Sequence, residues 1–233
     1  MLATYRRDGF VLAGCIPERL VADSHARIDR ILAALPDTIR AEAVFERDLP
    51  DRKRGGVAAA ATGDAIFILG DLFRADPFFA AVLAHDAVVA PIRAALGSED
   101  IVHHFSNLTS KAARFGSGIS WHRDATNTYM PTARACFVRA LICLDAMGAE
   151  NGGTRFRPGS HAGEADGPEV APDCPAGSVL LIHPQVLHGG PPNHSARRRR
   201  CIVVQWGRRD DAVQGDNRET LTGLSPEEMR VRA

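Results

Sequence analysis

The sequence predicts a mainly β protein with flanking α-helices, in which antiparallel strands form a jelly roll or sandwich and helices pack outside it. Three observations carry this. Helical periodicity is confined to about the first hundred residues; from Ile101 the chain runs in short apolar stretches broken by Gly, Pro and Asn; and those stretches do not alternate with helices, which disfavours a parallel doubly wound sheet. At 233 residues the chain can bury a substantial core. One domain over 1–233 is expected, a helical part of about 1–100 packed on a jelly-roll core of about 101–207.

In order along the chain, "GFVLAGCI" is the first strand, and Pro17 opens a helix whose Leu20, Val21, Ile28, Ile31, Leu32 and Leu35 recur at helical spacing. The stretch from Glu46 to Gly63 mixes dense charge with Gly and small residues without a period, which predicts a mobile loop. A second helix is predicted from an Asp76 N-cap and Pro77 to a Gly97 stop, with Phe78, Val82, Val89, Ile92 and Leu96 on one stripe. The strand runs follow: "IVHHFSNL", "RACFVRALICLD", "GTRFRPGSH", "GSVLLIHP" and "RCIVVQWG". The tail ends in a short helix beginning at Ser225, whose Glu228 completes a capping box.

Lys plus Arg equal Asp plus Glu at 28 each, so no overall field draws the chain to nucleic acid or an anionic membrane, and a small-molecule partner is expected. No apolar run approaches the roughly 20 residues that span a bilayer, and the first ten residues do not read as a leader, so a cytoplasmic location is expected. The five cysteines, without a Cys-x-x-Cys pair, read as reduced and mostly buried thiols.

The chemistry starts at "SWHRDATNTYM". Alternation along a strand would point His122 and Asp124 one way and Arg123 the other, so the two can share an ion. A third ligand must come from elsewhere, and His188 in "HPQVLHGGPPN" is the first candidate, with His183, His103 and His104 as competitors. Two histidines and a carboxylate leave metal positions open for reaction, as in non-haem iron oxygenases. In "ARRRRCIVVQW", Arg199 shares a face with Cys201 and Val203, while Arg198 and Arg200 share the other. A guanidinium projecting into a β core needs an anion, and its fork matches a carboxylate.

"WHRDA", "LDAMGAENGGTRFRPGSH" and "GSVLLIHPQVLHGGPPNHSARRRR", with the early "YRRDGFVLAGCIP", resemble the phytanoyl-CoA dioxygenase family of Fe(II)- and 2-oxoglutarate-dependent oxygenases. The resemblance implies a double-stranded β-helix, the cupin-like jelly roll. It implies that His122, Asp124 and His188 bind Fe(II), that Arg199 grips the far carboxylate of 2-oxoglutarate, and that Thr109 contacts the cosubstrate, with Lys111 at the family's lysine position. Asn107, Thr128 and Arg139 are the candidate substrate contacts. One departure is Gly190, where relatives frequently place a serine that helps hold the cosubstrate carboxylate. Arg155 and Arg157, where apolar residues are common, read as surface residues, and Ser160 and His161 as residues that shape the loop.

The implied reaction consumes O2 and 2-oxoglutarate, releases succinate and CO2, and oxidises a small metabolite, hydroxylation being favoured and natural-product intermediates included. Asp124 speaks against halogenation, since related halogenases replace that carboxylate by a small residue. The main rival is a cupin-type metalloenzyme that does not use 2-oxoglutarate and recruits His183 or His103. A non-catalytic binding module, and a nucleic-acid patch at "RRRR", are weaker, the latter for want of net charge and interleaved aromatics.

Overall fold

The long apolar runs read as strands line up side by side. In the computed structural model, which describes residues 1–126, 129–163 and 167–232, β1 (Phe10–Cys15), β2 (Ala43–Phe45), β3 (Ile66–Gly70), β4 (Ile101–Lys111), β6 (Phe137–Cys143), β8 (Ser178–Ile182) and β10 (Arg199–Arg208) form one antiparallel sheet. Its order is β1-β8-β6-β10-β4-β3-β2. A smaller sheet holds β5 (Ile119–His122), β9 (His188–Gly190) and β7 (Arg155–Phe156), in the order β5-β9-β7. This is the predicted two-sheet architecture.

Every side chain of β6 and nearly every one of β10 is buried, because both faces of the large sheet are covered. Ile202, Val204 and Trp206 face the helices, and alternate residues face the small sheet. Between the sheets lie Phe10, Leu141, Cys143, Phe156, Leu180 and Cys201, with Met147 and Cys174. The Phe10 and Phe156 rings stack at 4.1 Å between centroids, which ties β1 to β7. Three of the five cysteines therefore meet in one core, and all five are free thiols.

The helices are α1 (Leu2–Asp8), α2 (Glu18–Ala34), α3 (Asp37–Arg40), α4 (Leu72–Ala75), α5 (Phe79–Leu83), α6 (Asp86–Leu96) and α7 (Pro226–Arg230). Residue Pro17 precedes α2 as expected, and Ser225 and Glu228 make the predicted capping box of α7. The single helix predicted from Pro77 to Gly97 is instead two. His85 is extended at ψ 142° and its Nδ1 accepts the Ala87 N–H at 3.1 Å, so it caps a new helix and breaks the old one; Gly97 ends α6 in the left-handed conformation.

The first hundred residues supply the expected first strand, β1, and differ from the expectation by adding two more strands to the large sheet, β2 and β3. The stretch 46–63, predicted to be mobile, is pinned. Its two 3-10 turns, Glu46–Asp48 and Ala59–Ala61, flank a buried Arg54 that donates to the carbonyls of Glu46, Leu49 and Val57. Glu46 is fully buried and accepts the Ser117 N–H at 2.9 Å and the Ser117 hydroxyl. Burial pushes the Glu46 carboxyl up, against the Ser117 hydrogen bonds. Two of the charges here, Glu46 and Arg54, are buried internal ties, while Arg47, Asp48, Asp51 and Arg52 stay exposed.

Candidate metal centre

His122 ends β5 and His188 begins β9, and the two are register partners with rings 4.3 Å apart. Each ring is aimed by its own Nδ1. His122 Nδ1 lies 2.8 Å from the Ser120 carbonyl, and His188 Nδ1 lies 3.0 Å from the Val186 carbonyl. A carbonyl only accepts, so both Nδ1 atoms carry hydrogen and both Nε2 atoms present a lone pair to the same space. Asp124 joins them from the 3-10 turn Asp124–Thr126. The strand has already ended at His122, so a tight turn brings Asp124 beside it; the expected pleat is not the cause. Arg123 points away and donates to the carbonyls of Ser160 and Gln185.

One ligand atom from each of His122, Asp124 and His188 lies within 4.8 Å of the others. Asp124 is 1% exposed, yet its Oδ2 has no hydrogen-bond partner among the described residues. A buried, orphaned carboxylate oxygen facing two imidazole lone pairs is the donor set of a divalent transition metal, and it fits iron. The other oxygen, Oδ1, is taken by Arg139 Nη1 and stands 3.3 Å from His122 Nε2. Burial pushes the Asp124 carboxyl up, but Arg139 and the two histidines outweigh it and hold it below its ordinary range.

Arg139, expected near substrate, therefore reaches the site as a partner of the carboxylate ligand. Its Nε donates to Gln205 Oε1 at 3.0 Å, its guanidinium lies 5.0 Å from the Phe105 ring centre, and Gln205 Nε2 meets His104 Nδ1 at 2.9 Å. A lone arginine in the apolar run "FVRALIC" was the sequence signal that an anion waits opposite.

The triad opens on a cavity of about 530 Å³ between the sheets. Asn107 and Thr109, expected to contact substrate and cosubstrate, line it, Thr109 donating to Asn107 Oδ1 at 3.1 Å. Thr128 lies outside the described residues. Arg199 is 2% exposed and points between the sheets, one side chain behind the cavity wall. It donates to Met147 Sδ at 3.2 Å and Cys201 Sγ at 3.1 Å, and Met147 Sδ also meets Thr154 of the wall. Lys111, its register partner, is 1% exposed and donates to the carbonyls of Gly152 and Pro191. Neither cation is paired with a described carboxylate, and burial and Arg199 lower Lys111 to about 7. Two buried cations side by side suit an anion.

A serine at position 190, expected by resemblance, would be crowded: an added Cβ there would lie 3.1 Å from the Gly153 carbonyl and 3.3 Å from Lys111 Nζ, so these neighbours would have to give by a few tenths of an ångström. Asn193 braces the same corner, donating to the carbonyls of Lys111, Ala112 and Arg197. Ser160 Oγ takes the Leu187 N–H at 2.8 Å and so holds the strand start at His188. Arg155 and Arg157 sit at the surface against Glu169. The rival ligands stay away: His183 packs against His161 at 4.7 Å, and His103 is buried against Trp206. Sequence reasoning missed Glu42, Lys53, Phe105 and Glu219, which also line the cavity; Glu219 lies in the tail, which carried no periodic signal.

Comparisons with known proteins bear on this geometry. The family model described as "Phytanoyl-CoA dioxygenase (PhyH)" matches residues 5–201. A probable alpha-ketoglutarate-dependent hypophosphite dioxygenase of Stutzerimonas stutzeri is 29% identical over 150 residues, 54% of this chain and 51% of that protein, so the match spans about half the relative's length. Among solved structures, EctD from S. alaskensis with 2-oxoglutarate and 5-hydroxyectoine superposes with a TM-score of 0.74 at 21% identity, covering 91% of this chain and 77% of that one. The epimerase SnoN in complex with Fe3+, alpha ketoglutarate and nogalamycin RO gives 0.71 at 19% identity, covering 92% and 84%. AviO1 from Streptomyces viridochromogenes gives 0.66 at 23% identity, covering 88% and 92%. These structural likenesses establish the fold. Among the described residues, no helix is long and apolar enough to cross a membrane.

Proposed function

The chain belongs to the phytanoyl-CoA dioxygenase family, and from that membership we propose that it is an Fe(II)- and 2-oxoglutarate-dependent dioxygenase that oxidises a small-molecule metabolite, by hydroxylation. The observation that carries the reading is the convergence of His122, Asp124 and His188 with an orphaned Asp124 Oδ2 between two imidazole lone pairs.

When bound, iron and 2-oxoglutarate supply the oxidising chemistry: O2 is split between succinate and the hydroxylated carbon, and CO2 leaves. The chain's own residues do the rest. Carbonyls of Ser120 and Val186 fix the two rings, and Arg139 holds Oδ1 so that Oδ2 alone is offered to the metal. Arg199 and Lys111 are the anchor for the far carboxylate of the cosubstrate, with Thr109 and Thr154 along the wall toward the triad. Apolar Leu141, Ile182 and Val203 keep that wall dry. Hypophosphite, named for the curated relative, is a poor match: it would leave most of the cavity empty and face the carboxylates of Glu42 and Glu219.

The reading is tested by anaerobic titration of the protein with Fe(II) and 2-oxoglutarate, which should develop a weak visible charge-transfer band. Arg199→Met should raise the 2-oxoglutarate concentration at half-signal by about 100-fold, the loss of a charge-assisted pair, while iron still binds. Asp124→Ala should abolish the band. An unchanged 2-oxoglutarate requirement in Arg199→Met would favour the metalloenzyme that does not use this cosubstrate.

A further inference from the structure

Among the described residues, the charged side chains that line the cavity, apart from the triad's histidines, are Glu42, Glu219, Lys53 and Arg139. Behind its lining stand two buried cations, Lys111 and Arg199, register partners on β4 and β10. Five residues back along β4, about 17 Å at strand rise, the Ser106 N–H donates to Glu219 Oε2 at 2.8 Å. Glu219 lines the cavity together with Glu42, Phe105 and Tyr129, and the tyrosine hydroxyl stands 3.5 Å from Glu219 Oε1. Arg139, which holds Asp124, is the register partner of Gln205, and Gln205 in turn pairs with Phe105, so the triad's carboxylate is tied to the sheet at the level of Ser106 and Glu219.

Glu42 is neutralised by Arg74 at 3.0 Å, and the nearby Asp71 is occupied by the N–H and hydroxyl of Thr220. Glu219 is different. Among the described residues it has neutral hydrogen-bond donors and no cation, and it sits in a wall that also contains Val44, Phe67 and Ile68. Lys53 lines the cavity too, but it makes no ion pair with a described carboxylate. Burial and the neighbouring carboxylates of Asp71 and Glu42 push Glu219 up to about 8, against the Ser106 hydrogen bond. A carboxyl kept this way beside an apolar cavity, with no ion pair to a described cation, is stabilised in its charged form by an incoming positive charge.

We propose, resting on the oxygenase reading above, that the substrate carries a positively charged nitrogen, as an amine, amidine or guanidine, which docks on Glu219 beside Tyr129. Its hydrocarbon part then lies along Phe67, Ile68 and Phe105 and presents a C–H bond to the triad. The cosubstrate dianion is drawn instead to Lys111 and Arg199, so each ligand is repelled from the other's place.

The test is a panel of cyclic and linear hydrocarbon scaffolds, each presented as primary amine, N-acetyl amide and carboxylate, assayed by scaffold-dependent succinate release from the iron-loaded protein. Amines should show a KM roughly tenfold or more below that of their amides, and carboxylates should not stimulate release. Glu219→Gln keeps an acceptor for the Ser106 N–H and should erase the preference for amines; its melting temperature is read alongside. If wild-type protein prefers amides or carboxylates, or if folded Glu219→Gln keeps the amine preference, the proposal falls and the oxygenase reading stands. If the protein gives neither the charge-transfer band nor any succinate, the oxygenase reading falls and takes the proposal with it.

Discussion

Asp124 is held from two sides, and the partner that is not a ligand decides how it behaves. Arg139 neutralises a carboxylate that is otherwise buried beside the His122 and His188 rings. Removing one member of a buried pair leaves an uncompensated charge, at about 3 kcal/mol. Arg139→Leu should therefore lower the stability of the metal-free protein by roughly that amount, and saturating Mn(II) should recover much of the loss by pairing Asp124 instead; equal losses with and without metal in thermal melts would contradict this. The triad was legible in the sequence because metal chemistry needs these residue types, and "WHRDA" with a distal histidine supplies them. The partner of Arg139 was not legible: strand alternation says which way a side chain points, and only the turn after β5 decides what it meets.

At the scale of elements, the 46–63 stretch shows how burial can hide in a charged sequence. Arg54 satisfies three carbonyls at once, and the stretch also carries Lys53 of the cavity wall. Arg54→Ala should cost about 2–3 kcal/mol through unmet carbonyls and expose this stretch to limited proteolysis; protease resistance equal to wild type would contradict the pinning. The long strands β4, β6, β8 and β10 were readable because both faces of the sheet are covered, which makes each a continuous apolar run. Short elements were not. β2 has three residues and pairs only with β3, so its existence depends on a neighbour that local periodicity does not contain. The break between α5 and α6 turns on one side-chain nitrogen of His85, which a hydrophobic stripe passes over.

Across the whole molecule, buried groups shift in opposite directions and make stability depend on pH. Burial lowers His103 to about 3 and His104 to about 4, so the unfolded chain takes up these protons first, near its ordinary 6.5. Their contribution is complete above 6.5 and is lost as pH falls toward the folded values, at about 1.4 kcal/mol per pH unit for each. Glu219 is raised from 4.5 to about 8, so its contribution is present below 4.5 and lost as pH rises to 8. Urea unfolding should show stability rising between about pH 4 and 6.5, and His104→Gln should flatten this acid limb; an acid limb unchanged by that substitution would refute the assignment. A last consequence comes from the sulfur around Arg199. Met147, Cys143, Cys174 and Cys201 share one buried cluster, with Met147 and Cys201 touching the guanidinium. Oxidation of Met147 to its sulfoxide would set a strong acceptor against Arg199, the proposed anchor for the cosubstrate, and unsettle the packing between the sheets at the same time. On the oxygenase reading proposed above, these atoms set how the protein ages: wear would be recorded in the core, beside that arginine.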